Sequence, residues 1–240
     1  MNPETPASPS PALALRSLSV GPMDNNAYLL TCRATGAQLL IDAAAEPERL
    51  LALVAEGAAD GPAGPTGASP NGGEAGSAPA GPARLERIVT THRHHDHIGA
   101  LAAVVAATGA RTAAGAEDAE SIREQTGIAI DEPLAHGDRI RVGAAELEVI
   151  ALRGHTPGSI ALLWRGGEAG DHLFTGDSLF PGGVGNTQQD PERFAQLLGD
   201  VEDRVFAVLP DATAVHPGHG APTTLGAERP ELPAWRARGW

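Results

Sequence analysis

Residues 90–99 read Thr-Thr-His-Arg-His-His-Asp-His-Ile-Gly and place four metal-ligating side chains, His92, His94, Asp96 and His97, within six positions. An apolar run at 85–89 leads in and reads as a buried strand, and an Ala/Val-rich stretch at 98–108 leads out and reads as a helix. The ligands therefore sit on a strand-to-helix turn. His92 and His94, being alternate residues, can point one way, while Asp96 and His97 aim from the loop at a second nearby point, so two metal ions are expected. Imidazole and carboxylate donors suit zinc and similar first-row metals. A purification tag would lie at a terminus and lack both the interposed Asp and the strand-to-helix frame.

Further strand ends supply further ligands. A strand at 145–152 runs into Arg-Gly-His155-Thr-Pro-Gly-Ser, and the strand resumes at 160–164. A short apolar strand in 171–178 delivers Asp177, and a strand at 212–215 runs into His216-Pro-Gly-His219-Gly. The rest reads as scaffold. Strands are expected at 12–20, 26–32, 38–42, 110–114, 139–142 and 205–209, with helices at 47–56 and 117–125 and one beginning at Asp190-Pro191-Glu192 behind an N-cap signal. Residues 180–187 read as a loop over the site. His136 and His172 fall at predicted loop or turn positions and are expected to be solvated.

Length and charge narrow the function. The 240 residues suit a single domain at 12–240, preceded by a flexible terminus at 1–11 and interrupted at 57–83 by a Gly/Ala/Pro-rich insertion expected to be disordered. A net charge of -13 disfavours a nucleic-acid partner, since phosphate recognition needs basic patches. Cys32 is the only cysteine, which rules out an intramolecular disulfide and leaves a packed core thiol. Neither a secretory signal nor an apolar span is visible, so a cytoplasmic protein with no membrane partner is expected.

The order H-x-H-x-D-H, G-H-T-P-G, T-G-D-S-L-F, H-P-G-H-G closely resembles the metallo-β-lactamase superfamily, most nearly its glyoxalase II-like (hydroxyacylglutathione hydrolase-like) branch, over residues 13–224 outside the insertion. The resemblance implies an α/β fold: a four-layer αβ/βα sandwich with a dinuclear metal site at one edge. It assigns His92, His94 and His155 to one ion, Asp96, His97 and His219 to the other, and Asp177 as the bridge, and it leaves His95 and His216 in supporting roles. The implied activity is zinc-dependent hydrolysis of a thioester or small ester by a bridging hydroxide held between ions roughly 3.5–4 Å apart, with Asp96 also accepting a proton. The implied partner is a small-molecule substrate. Classical members carry a C-terminal helical domain for glutathione, whereas here a short tail at 221–240 follows His219, which leaves the thiol carrier open. Two other readings stand beside this one. A mononuclear iron persulfide dioxygenase of the same fold would use His92, His155 and Asp177, and a metal-stabilised binding domain would use the metal for structure alone.

Overall fold

Alternation along the strands sorts side chains into two environments, and that sorting builds the molecule. The computed structural model describes residues 13–62, 84–167 and 170–239, so the expected flexible terminus and residues 63–83 of the expected insertion lie outside the described residues. Six strands form the first sheet in sequence order: β1 (Leu13–Val20), β2 (Asn25–Cys32), β3 (Ala37–Ile41), β4 (Arg84–Thr90), β5 (Arg111–Gly115) and β6 (Glu132–Leu134). β1 to β3 pair antiparallel, and β3 to β6 pair parallel. The second sheet contains β7 (Arg139–Val142), β8 (Ala145–Ala151), β9 (Ile160–Gly167), β10 (Gly170–Gly176), β13 (Ala214–Pro217) and β14 (Thr223–Thr224), in the order β14-β13-β10-β9-β8-β7. Between β10 and β13, which pair parallel, lies a small hairpin of β11 (Leu179–Phe180) and β12 (Gly183–Val184).

Residues of one parity close the two sheets on each other: Leu30, Leu39, Ile41 and Val89 from the first meet Leu147, Val149, Leu162 and Phe174 from the second. Residues of the other parity face outward under helices. Leu29, Leu40 and Ile88 pack beneath α1 (Pro47–Gly57), α3 (Leu101–Thr108) and α4 (Ala116–Thr126). Leu163, Leu173 and Val215 pack beneath α5 (Pro191–Val201) and α7 (Leu232–Arg238). The result is the expected four-layer αβ/βα sandwich, with strands buried on both faces.

Three sequence expectations change, and the tail takes a definite form. The helix expected at 98–108 is two pieces, α2 (His95–Ile98) and α3, because Gly99 lies so close to the chain after β3 that a Cβ would come within 2.7 Å of the Ala44 carbonyl. The strand expected at 205–209 is a π-helical continuation of α5, Glu202–Phe206, and a turn; Val205, Phe206 and Leu209 bury against the second sheet at helical spacing. The first residues of the 57–83 insertion are ordered: Gly57 ends α1 buried, where a Cβ would meet Leu29 at 2.5 Å, and Asp60 pairs with Arg16 at 2.5 and 3.0 Å. The tail after His219 folds into α6 (Leu225–Glu228) and α7, whose Trp235 is buried in the outer layer. Among the described residues, no helix is long and apolar enough to cross a membrane.

Candidate metal centre

Chain direction explains where the ligands gather. β3, β4 and β5 are parallel, as are β10 and β13, so their C-terminal ends bring Asp42, His92, Asp118, Asp177 and His219 to one edge of the sandwich. His155 enters from the turn between β8 and β9. Asp42 takes a left-handed conformation (φ 58°) just past β3 and binds two anchors: Oδ1 accepts from the Thr91 N–H at 2.7 Å and Oδ2 from the Thr91 hydroxyl at 2.8 Å. It also accepts the Nδ1–H of His97 at 2.9 Å.

All seven expected ligands converge. His92, His94 and His155 offer ligand atoms within 4.8 Å of one another, as do Asp96, His97 and His219, and as do His92, His97 and Asp177. Asp177 lies between the two outer groups: its Oδ2 is 3.5 Å from His155 Nε2 and 3.6 Å from His219 Nε2, and its Oδ1 is 3.4 Å from His97 Nε2.

The hydrogen-bond network sets the tautomers. Nδ1 donates outward from His97 to Asp42, from His155 to the Asn186 carbonyl at 2.7 Å, and from His219 to the Met23 carbonyl at 2.8 Å. The Thr91 hydroxyl, already donating to Asp42, accepts from His92 Nδ1 at 3.1 Å. In the neutral ring each Nε2 is thereby left inward with a lone pair. His97 and His219 bring two such nitrogens to 3.2 Å, an approach that a cation between them stabilises. His155 Nε2 and Asp177 Oδ1 are buried with no hydrogen-bond partner among the described residues. Orphaned inward donors of this kind, from imidazoles and carboxylates, fit divalent metal ions.

Electrostatics agree. Burial, helped by neighbouring imidazoles, pushes His92 well below the ordinary range and His94 down to about 4; burial also lowers His155, so these rings stay neutral. Burial works against charge on Asp96 and Asp177 as well, but the Asn25 hydrogen bond to Asp96 and the His97 ring beside Asp177, with further imidazoles nearby, hold both below the ordinary carboxylate range. His97 is the exception: burial opposes its charge, yet Asp42 and Asp177 outweigh it and lift the ring to about 10. The surplus carboxylate charge calls for a cation at this point, which a metal ion supplies equally well.

Histidines outside the seven divide. His95 is 82% exposed and His136 is exposed, which places neither in the ligand groups. His172, expected to be solvated, is instead stacked between Trp164 and His216, because its strand position turns it into the inter-sheet layer. Other polar residues that hold the site went unread: Asn25, whose Nδ2 donates to Asp96 Oδ2 at 2.9 Å; Asp42; Asp118; and Arg193, which donates to the carbonyls of Gly154 and His155. A carboxylate straight after an apolar strand marked Asp177, and the same signal at Leu39-Leu40-Ile41-Asp42 marks Asp42.

Residues 20–219 match the family model of the Metallo-beta-lactamase superfamily, and the chain belongs to that superfamily. Hydroxyacylglutathione hydrolase of Anaeromyxobacter dehalogenans is 41% identical over 92 residues, 37% of this chain and 32% of its own length. The chain likewise spans less than half the length of the mycobacterial relatives it matches. Among solved structures, ETHE1 from Myxococcus xanthus superposes with a TM-score of 0.71 and 29% identity, over 92% of this chain and 83% of that one. The protein TTHA1623 in a di-iron-bound form superposes with a TM-score of 0.64 and 31% identity, over 89% and 96%.

Proposed function

We propose that this protein is a zinc-dependent hydrolase of a thioester or small ester. His92, His94 and His155 would hold one ion, Asp96, His97 and His219 the other, with Asp177 shared. The observation that carries the reading is the place of Asp177, whose Oδ2 lies 3.5 Å from His155 Nε2 and 3.6 Å from His219 Nε2. Bound at such a site, two metal ions supply a water activated at neutral pH and a Lewis acid for a carbonyl oxygen. The chain's own part is orientation and proton handling. Asn25 fixes one oxygen of Asp96, and Asp96 is assigned the proton-accepting role. The hairpin β11–β12 carries Phe180, whose ring centre is 6.5 Å from that of His219 and would give an acyl group an apolar contact. Protein nucleophiles are not required, and Cys32 is buried in the inter-sheet core. Kinship with a hydroxyacylglutathione hydrolase supports the thioester class. The single buried cysteine supports a cytoplasmic setting.

A second reading, a mononuclear iron persulfide dioxygenase, is favoured by His92, His155 and Asp177: the two imidazole Nε2 atoms lie 4.0 and 3.5 Å from Asp177 Oδ2. Elemental mass spectrometry of protein purified without added metal, with a panel of S-acyl thiols, separates the two. About two zinc ions per chain with metal-dependent thioester turnover is the expected result. About one iron per chain with oxygen uptake on persulfides would overturn it.

A further inference from the structure

Asp118, in the first turn of α4, is a completely buried carboxylate that touches none of the seven ligands. A buried carboxylate must be surrounded by donors, and those around Asp118 come from two separate loops. Oδ2 accepts from the backbone N–H of Arg93 at 3.0 Å, and the Arg93 guanidinium lies 3.7 Å from Oδ1. Oδ2 also accepts from the Thr156 hydroxyl at 2.5 Å, and Oδ1 from the Gly158 N–H at 3.0 Å. Arg93 stands between His92 and His94, while Thr156 and Gly158 immediately follow His155.

The second loop is fitted tightly to α4. A Cβ on Gly158 would lie 2.5 Å from the Asp118 nitrogen, and one on Gly115 would lie 2.0 Å from the Gly158 carbonyl. Because the Thr156 hydroxyl donates to Asp118, it accepts from Ser159 Oγ at 2.7 Å, and Ser159 Oγ accepts the Thr156 N–H at 3.1 Å, which stiffens the turn. Asp42 is the buried carboxylate that bonds a ring of the other group directly, His97, and it reaches His92 of the first group only through the Thr91 hydroxyl.

We propose that Asp118 is the positioning residue of the His92/His94/His155 group: it clamps the two loops together so that three ring nitrogens meet at one point. The inference rests on reading those histidines as metal ligands. Asp118 then serves the first group alone, whereas Asp42 bonds His97 of the second directly. Loss of Asp118 should weaken one site and spare the second.

Zinc affinity of the full chain, measured by competition with a chromophoric chelator, tests this without reading activity. A His219→Ala background reports on the first group and a His155→Ala background on the second. Asp118→Asn keeps the shape but turns an amide N–H toward donors. It should lower zinc affinity by about 10–100-fold in the His219→Ala background and leave the His155→Ala background unchanged. Thr156→Val, which deletes one strut bond and keeps the side-chain volume, should act in the same direction and less strongly; it decides the matter if Asp118→Asn does not fold. Equal weakening in both backgrounds would mark a merely structural residue and overturn the proposal, as would no weakening in either. Absence of zinc binding in the His219→Ala background removes the ligand assignment and this proposal with it. Failure of thioester turnover with zinc binding intact touches the proposed function alone.

Discussion

An imidazole serves as a ligand when its other nitrogen is already committed, and a carboxylate when a donor fixes its rotamer. Here each outward contact comes from a different element: Thr91 behind His92, Asp42 behind His97, Asn186 behind His155, Met23 behind His219 and Asn25 behind Asp96. Asn25 is 1% exposed, and its Nδ2 fixes Asp96 Oδ2 at 2.9 Å. Asn25→Leu should therefore reduce zinc affinity of the Asp96/His97/His219 group by about 10–100-fold while circular dichroism remains native. Unchanged affinity in a chelator competition would show that Asp96 needs no support. The converging His and Asp residues were legible because such side chains at the ends of apolar strands contribute little to packing, and several such ends meet at one edge. Asn25, Asp42 and Asp118 were not, because an amide or acid hydrogen-bonded to a nearby backbone looks in sequence like a turn or a cap. Only the fold shows that Asp118 bonds residues 25 and 38 positions away.

At the scale of elements, two contacts near His155 separate stability from site geometry. Asp190 caps α5, its side chain accepting from the N–H groups of Glu192 and Arg193 at 2.9 and 3.1 Å. Asp190→Ala should cost about 1 kcal/mol in chemical denaturation, the usual worth of an N-cap, and leave metal content intact. Gly185, just past β12, is the opposite case. A Cβ there would sit 1.7 Å from the Asp177 carbonyl and 3.3 Å from His155 Nδ1. Gly185→Ala must push the hairpin away from Asp177, so metal retention after gel filtration should fall in this variant and hold in Asp190→Ala. Equal retention in both would show that the hairpin yields without moving the ligand. Element boundaries were legible where one rule operated alone: alternation in β1, the short turn between β2 and β3, and Pro at the start of α1 and α5. They were misread where two rules overlapped. Val205, Phe206 and Leu209 satisfy an apolar-run reading of a strand, but a helix packing on a sheet needs the same residues. The break between α2 and α3 depends on the carbonyl of Ala44, far away in sequence, which local propensity cannot register.

The two sheets are joined by more than aliphatic packing. Trp164 on β9, His172 on β10 and His216 on β13 stack in series, with ring centres 4.9 and 5.2 Å apart and interplanar angles of 17° and 9°. His172 Nδ1 and His216 Nε2 share a hydrogen bond of 2.9 Å. Tyr28 of the first sheet meets His216 edge-on at 5.5 Å, so the stack spans the sandwich. Burial, and then the neighbouring His172, depress His216 from an ordinary 6.5 to about 4, and burial lowers His172 as well. Between those two values the unfolded chain binds a proton that the folded chain refuses. The stabilisation is thus complete above about pH 6.5 and is lost as pH falls toward about 4, for His216 alone by roughly 3 kcal/mol. His172 adds to the loss in the same direction. His216→Phe keeps an aromatic plane in the stack and removes the titration. Urea denaturation in excess chelator, at about pH 7 and about pH 4.5, should show the wild-type chain losing more stability than this variant, because the ligand imidazoles titrate alike in both and cancel in the difference. Parallel pH profiles would mean that the stack relaxes to admit a proton, and that the two sheets are held together without reference to its charge.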